Sequence, residues 1–378
     1  MKSFEELNLP QSLAKSVRVM GFTLPTPIQA QAIPVILSKR DMIGCAQTGS
    51  GKTAAFCIPL LIQLIKHPGK TGLILVPTRE LAQQIEVVWK SLAQFTHDVK
   101  CTVLMGGASM YRQINELRCN PRVIIATPGR LLDHLNRGTV RLSKTEILIL
   151  DEADRMLDMG FAPQLRHILR YLPIVRQTLL FSATWSSAMD QLSGRYLKDS
   201  VRINIGTKTQ GPPKISQSVV ETTPQKKNIT LLDQLNKTQG SVLVFARTQV
   251  RTDRVADFLD SYGLEVGRIH GGRTQGQRNR ALQGFRTGTP RILIATDIAA
   301  RGIDVVDISH VINYDLPQTP EDYIHRIGRT ARAGALGEAI SFITSEDHGQ
   351  WRQIVNFMKS RGSNAPELTL QRRPQPRR

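Results

Sequence analysis

The octet Ala46-Gln47-Thr48-Gly49-Ser50-Gly51-Lys52-Thr53 has the residue types that hold a nucleoside triphosphate. Its glycines let backbone N–H groups approach phosphate, Lys52 can reach the β- and γ-phosphates, and the Thr53 hydroxyl can ligate Mg²⁺. Alanine stands where the phosphate-loop pattern has its first glycine. Downstream, the apolar run Ile147-Leu148-Ile149-Leu150 ends in Asp151-Glu152-Ala153-Asp154. An apolar strand that ends in adjacent carboxylates delivers them to the carboxyl edge of a parallel sheet, where ligands bind. Asp151 then reads as the magnesium carboxylate, acting through water because Mg²⁺ dehydrates reluctantly, and Glu152 as the group that orients and deprotonates the attacking water. Phosphoryl transfer rests on positioning and charge stabilisation, so a further positive group is required. His325-Arg326-Ile327-Gly328-Arg329-Thr330-Ala331-Arg332 spaces its arginines three apart. A solvated salt-bridging face and a transition-state charge are equally good readings of that run.

These groups need a scaffold, and the hydrophobic pattern supplies one. From position 40 to 205 short β-rich runs alternate with segments of helical period, the signature of a parallel sheet covered by helices on both faces. The strand candidates are Asp41 to Cys45, Gly72 to Val76, Cys101 to Met105, Arg122 to Ala126, Ile147 to Leu150, Thr178 to Phe181 and Val201 to Ile205. The first candidate precedes the octet, and a helical segment with Phe56, Ile58, Leu60 and Leu61 follows it, as a phosphate loop requires. Leu81, Ile85, Val88, Leu92 and Phe95 form one helical stripe. Alternation restarts after a polar, turn-rich segment with Ser241 to Ala246, Glu265 to Ile269, Arg291 to Ala295, Ser309 to Asn313 and Glu338 to Ile343. The expected organisation is a first lobe over 1–205, a short flexible linker over 206–213, a second lobe over 214–360 and a basic disordered tail over 361–378. The fold class is α/β, and the second half repeats the first without a phosphate loop.

The 378 residues suffice for two cores, and 50 basic against 31 acidic residues give a formal charge of +19, which calls for a polyanionic partner. No apolar run is long enough to span a bilayer and the start lacks a signal peptide's apolar segment, so a cytosolic protein is expected, or a nuclear one if the source is eukaryotic. Four cysteines, Cys45, Cys57, Cys101 and Cys119, lack zinc or disulfide spacing and read as reduced, space-filling residues. Aromatics are 5% and no basic strip interleaves with them, so contacts to phosphate and sugar should dominate over base stacking.

Taken together the motifs resemble those of the DEAD-box ATP-dependent RNA helicases, in the same order, from about Phe4 to Lys359. Gly21-Phe22-Thr23-Leu24-Pro25-Thr26-Pro27-Ile28-Gln29 is similar to the family's adenine-reading motif, with Gln29 on the adenine edge and Phe4 on its ring. Pro77-Thr78-Arg79-Glu80-Leu81, Gly106-Gly107 and Thr127-Pro128-Gly129-Arg130 resemble the first lobe's RNA contacts. Ser182-Ala183-Thr184 resembles the motif that couples hydrolysis to unwinding, and Asp154 is expected to communicate with it. In the second lobe, Arg247, Gln275, Arg278, Thr296 and Asp297 match RNA or interlobe contacts, and Asp304 a ribose contact. The resemblance assigns Arg329 and Arg332 to the γ-phosphate and has His325 and Arg326 bridge the lobes; many members carry glycine where Ala331 stands. It implies two tandem RecA-like lobes, ATP and Mg²⁺, RNA as partner, no membrane and a monomer. The implied activity is RNA-stimulated ATP hydrolysis with local, non-processive remodelling of RNA duplexes and RNA–protein complexes. An ATP-gated RNA clamp with slow turnover is the alternative, and a DNA translocase a weaker third.

Overall fold

The computed structural model describes residues 1–360 except Lys2, Asn8, Gln47, Thr48, His97, 184–186, 206–214, 301–307 and 332–336. The expected linker and tail, and Gln47, Thr48, Thr184, Asp304 and Arg332 among the expected site residues, lie outside the described residues. The chain divides into two compact units, Met1–Gly206 and Thr207–Arg378.

In the first unit a short 3-10 helix over Phe4–Leu7 is followed by α1 (Gln11–Val19), α2 (Pro27–Leu37), β1 (Met42–Cys45), α3 (Lys52–Lys66), β2 (Thr71–Leu75) and α4 (Arg79–Ala93). Then come β3 (Cys101–Leu104), α5 (Met110–Arg118), β4 (Val123–Ala126), α6 (Pro128–Asn136), β5 (Thr145–Leu150) and α7 (Ala153–Asp158). The unit ends with α8 (Ala162–Leu169), β6 (Gln177–Ser182), α9 (Ser187–Tyr196) and β7 (Val201–Asn204). The strands form one sheet in the order β3-β4-β2-β5-β6-β1-β7, parallel throughout. Period-two alternation divides β5 between two cores: Ile147 and Ile149 pack with α3 and α4 on one face, Leu148 and Leu150 with α6 and α8 on the other. All four are fully buried, the expected state of a strand covered on both sides.

The second unit runs β8 (Ile215–Glu221), α10 (Lys227–Lys237), β9 (Val242–Phe245), α11 (Gln249–Ser261), β10 (Val266–Ile269), α12 (Gln275–Thr287) and β11 (Ile292–Ala295). It continues with α13 (Asp297–Ala300), β12 (His310–Asn313), α14 (Pro320–Ile327), β13 (Gly337–Ile343) and α15 (His348–Ser360). Its parallel sheet has the order β10-β11-β9-β12-β13-β8. Each strand named from sequence is present to within a residue or two. The strand β8 is an addition: Ile215-Ser216-Gln217-Ser218-Val219-Val220-Glu221 is a half-buried edge strand whose apolar signal is diluted by serine and glutamine. Among the described residues no helix is long and apolar enough to cross a membrane.

Candidate nucleotide and RNA sites

The strand ends of the first sheet gather the octet, the acidic tetrad and the Ser182 segment. β1 delivers Ala46, whose N–H donates to Ser182 O at the end of β6 at 3.0 Å. Gly49 and Gly51 hold left-handed backbone with φ of 85° and 92°, and α3 begins at Lys52. Such a turn running into a helix N-terminus aims successive N–H groups at one point. Gly51 also has no room for a side chain, because a Cβ there would lie 2.6 Å from Gln29 Nε2. Lys52 Nζ is buried and donates to Ala46 O at 2.8 Å, and Ser50 Oγ is buried without a hydrogen-bond partner among the described residues. A cradle with a spare hydroxyl and a lysine folded onto its own loop fits a polyphosphate. The Thr53 hydroxyl and the Asp151 carboxylate are oxygen donors of the kind Mg²⁺ prefers.

The tetrad leaves β5 sharply. Asp151 N–H donates to Leu75 O at 3.0 Å, and Glu152 adopts left-handed backbone at φ 51°, ψ 49° before α7 begins. That conformation is costly for a residue with a Cβ. Burial pushes the Asp151 carboxyl up to about 7, aided by the charges of Glu152 and Asp154 and opposed by Lys52 and the Glu152 N–H. The Glu152 N–H donates to Asp151 Oδ1 at 3.0 Å, and the Glu152 carboxylate pairs with the buried guanidinium of Arg155. Asp154 Oδ2 accepts the Ala183 N–H at 3.2 Å, which ties the third acid of the tetrad to the Ser182-Ala183 segment. Arg155 was not legible as a site residue; its spacing of three from Glu152 on a short helix is the signal that was available.

Gln29 sits at the start of α2, where its Oε1 accepts the Thr26 N–H at 2.9 Å and its Nε2 donates to Gly51 O at 3.2 Å. Phe4 is 5% exposed and stacks on Phe22 with ring centroids 6.0 Å apart. Burial and the Asp154 charge raise the Cys45 thiol, which disfavours its thiolate.

The expected RNA-contact residues of the first unit converge at the ends of β2, β3 and β4. Thr78 caps α4 by accepting the Leu81 N–H at 3.3 Å. Arg79 lies over the glycine doublet: a Cβ on Gly107, whose φ is 78°, would stand 2.1 Å from Arg79 Nη1. Arg130 Nη1 donates to Ala108 O at 3.0 Å, joining Thr127-Pro128-Gly129-Arg130 to the same loop. Gln113 Nε2 donates to Met105 O at 3.1 Å, and the buried His134 ring meets Gln113 Oε1 at 3.2 Å, bracing the loop from beneath.

The second unit repeats this layout with Arg247 after β9, Thr296 and Asp297 after β11, and Gln275 and Arg278 at the start of α12. Thr248 caps α11 as Thr78 caps α4, and a second doublet, Gly271-Gly272, lies under Gln249 as Gly106-Gly107 lies under Arg79. The second doublet was missed from sequence, because its place after the third strand of the half shows only once β8 is counted. Arg329 is 6% exposed and shares a small cavity of the second unit with His325, Arg326, Asp297 and Phe245. Arg326 is held within the second unit by a dense set of contacts. Its guanidinium pairs with both Asp297 oxygens at 2.6 and 2.7 Å, donates to Asn313 Oδ1 and Asp315 O, and stacks on Phe245. Ala331 holds left-handed backbone at φ 55°, a physical reason for glycine at that position.

Residues 26–192 match the DEAD/DEAH box helicase family and residues 226–334 the helicase conserved C-terminal domain. The chain is 42% identical over 374 residues to the DEAD-box ATP-dependent RNA helicase CshA of Geobacillus kaustophilus, spanning 98% of this chain and 79% of that one. It is 46% identical over 360 residues to the ATP-dependent rRNA helicase rrp3 of Aspergillus terreus, spanning 94% and 80%. Among solved structures, S. cerevisiae Dbp5 bound to RNA and ADP BeF3 aligns with a TM-score of 0.85 at 34% identity, over 97% of this chain and 95% of that one. Mss116p bound to ssRNA and AMP-PNP aligns with a TM-score of 0.84 at 30% identity, over 93% and 76%.

Proposed function

The chain belongs to the DEAD/DEAH box helicase family, and from that premise we propose an ATP-dependent RNA helicase whose hydrolysis is stimulated by RNA and coupled to local, non-processive remodelling. The observation that carries the coupling is the Asp154 to Ala183 hydrogen bond, which joins the tetrad to the end of β6.

In this reading Lys52, Ser50, Thr53 and the N–H groups of the loop bind the polyphosphate, while Gln29 reads the adenine. Thr53 and Asp151 hold Mg²⁺, which neutralises charge on the β- and γ-phosphates when bound. Glu152 takes the proton of the attacking water, with Arg155 orienting its carboxylate. Arg329 and Arg332 supply positive charge to the transferred phosphoryl group, an effect worth roughly 10³ to 10⁵ in rate for such arginines. RNA is held through phosphate and sugar by Thr78, Arg79, Gly106, Gly107, Thr127 and Arg130, and by Arg247, Gln275, Arg278 and Thr296. A cytoplasmic monomer completes the proposal.

Glu152→Gln tests it. The variant should lose at least about a hundredfold in ATP turnover while retaining ATP-dependent RNA binding, because Lys52 and Asp151 are intact. Loss of RNA binding would overturn the role given to Glu152. In the unaltered protein, absent RNA stimulation of ATPase together with long-lived ATP-dependent RNA retention would replace the helicase with the clamp. Equal stimulation by matched DNA would replace it with the translocase.

A further inference from the structure

The second unit reproduces the strand order of the first: β8 stands beside β13 as β1 stands beside β6, and β12 lies between β9 and β13 as β5 lies between β2 and β6. Lys52 opens the helix that follows β1, and Lys227 opens the helix that follows β8. The Asp151 N–H donates to Leu75 O at the end of β2, and the Asp315 N–H donates to Phe245 O at the end of β9, at 3.2 Å. Lys227 therefore holds the place of the phosphate-loop lysine, and Asp315 stands at the strand end that carries the acidic pair, in the place of Glu152 by strand register and of Asp151 by its backbone hydrogen bond.

Here the two side chains are bonded to each other. Lys227 Nζ is 3.1 Å from Asp315 Oδ1, Arg251 Nη1 is 2.8 Å from the same oxygen, and Asp315 Oδ2 accepts the Arg247 N–H at 3.0 Å. Lys227 is 6% and Asp315 1% exposed, and the Tyr314 ring lies 5.3 Å from Nζ. The connection between β8 and α10, Thr222-Thr223-Pro224-Gln225-Lys226, contains no glycine and includes a residue without an N–H. It cannot wrap a phosphate, and the ion pair closes the place where one would sit.

The same carboxylate reaches the segment that repeats Pro77-Thr78. It fixes the Arg247 N–H, and through Arg251 it grips the first turn of α11, whose Arg251 N–H is in turn capped by Thr248 Oγ1 at 3.2 Å. Arg326 holds the Asp315 carbonyl at 2.6 Å from the other side. We propose that Asp315, clamped by Lys227 and Arg251, is a positioning residue for RNA binding: the place of a catalytic carboxylate has become a buried anchor that sets Arg247 toward RNA. This rests on the reading of Arg247 as an RNA contact.

The test measures ATPase activity of the full chain against concentration of a single-stranded RNA for Asp315→Asn, Arg247→Ala and the double variant. Asp315→Asn should raise the RNA concentration for half-maximal activity about tenfold, leaving RNA-free activity and the rate at saturating RNA unchanged. The double variant should match Arg247→Ala to within about twofold, because the anchor acts through the group already removed. Multiplied losses in the double variant, or an unchanged half-saturation in Asp315→Asn, would overturn the inference. An unchanged half-saturation in Arg247→Ala would remove the RNA-contact reading beneath it, a separate and distinguishable failure. Taking away one partner of a buried pair leaves the other uncompensated. Lys227→Met combined with Asp315→Asn removes both charges and carries the same expectation if the single variant does not fold.

Discussion

In the first unit the helix-opening lysine donates to its own loop, and the aspartate beyond β5 is governed by burial, which holds its carboxyl near 7. In the second unit the corresponding lysine and aspartate neutralise each other. Burial alone would raise the Asp315 carboxyl, but Lys227, the Arg247 N–H and Arg251 pull it below the usual carboxylate range. One frame therefore supports two uses of the same strand ends. Where polar groups are left underpaired, the site is prepared for a ligand that completes it; where they pair internally, the strand end becomes rigid and can hold a neighbouring loop in place.

The sharpest division of the two uses comes from the lysines. Lys52→Met should lower ATP turnover by about 10² to 10³ with little change in melting temperature. Lys227→Met should leave the KM for ATP unchanged while costing the second unit about 3–5 kcal/mol, because Asp315 loses a buried partner. A raised KM for ATP in Lys227→Met would erase the distinction.

The aspartates should respond to pH in opposite senses. Asp151 is raised from 3.8 to about 7, so the folded protein binds its proton more tightly than the unfolded chain, and stability is lost as pH rises between those values. Asp151→Asn should then stabilise the first unit at pH 8, by at most about 4 kcal/mol, with a smaller gain toward pH 4. Asp315 is depressed, so its contribution is complete above the unfolded carboxyl range and disappears as pH falls below it. Asp315→Asn should destabilise at pH 7 and converge with the unaltered protein in acid. Thermal melts across this range decide the matter, and shifts of the same sign at pH 8 would contradict it.

The smallest difference concerns backbone strain. Each unit places a non-glycine residue in left-handed backbone beside its proposed catalytic groups, Glu152 in one and Ala331 in the other. Only in the second is the side chain a bare methyl. Ala331→Gly should stabilise by no more than about 1 kcal/mol, since relief of strain is offset by glycine's greater freedom in the unfolded chain. Destabilisation would mean that the methyl is packed to advantage.

The frame and the nucleotide groups were legible because they are local: an apolar run such as Ile147 to Leu150 announces a buried strand, and the octet lies on consecutive residues. What stayed hidden depends on distance or on dilution. Lys227 and Asp315 meet across 88 positions and match no motif. β8 conceals its period among serines at a sheet edge, and Arg326 has the type and spacing of a catalytic arginine while its donors face Asp297 and Asn313. Arg155 pairs with Glu152 at a spacing of three, a signal too common on helix surfaces to single it out before the fold shows both side chains buried.

Gln29 joins Thr26 to Gly51 through the two ends of one amide. If that amide also meets the base, a guanine or pyrimidine in its place would twist the amide and tug on Gly51, at the bend that the phosphates occupy. Discrimination between nucleotides would then be felt as a change in how fast a bound triphosphate is cleaved, more than in how tightly it is held.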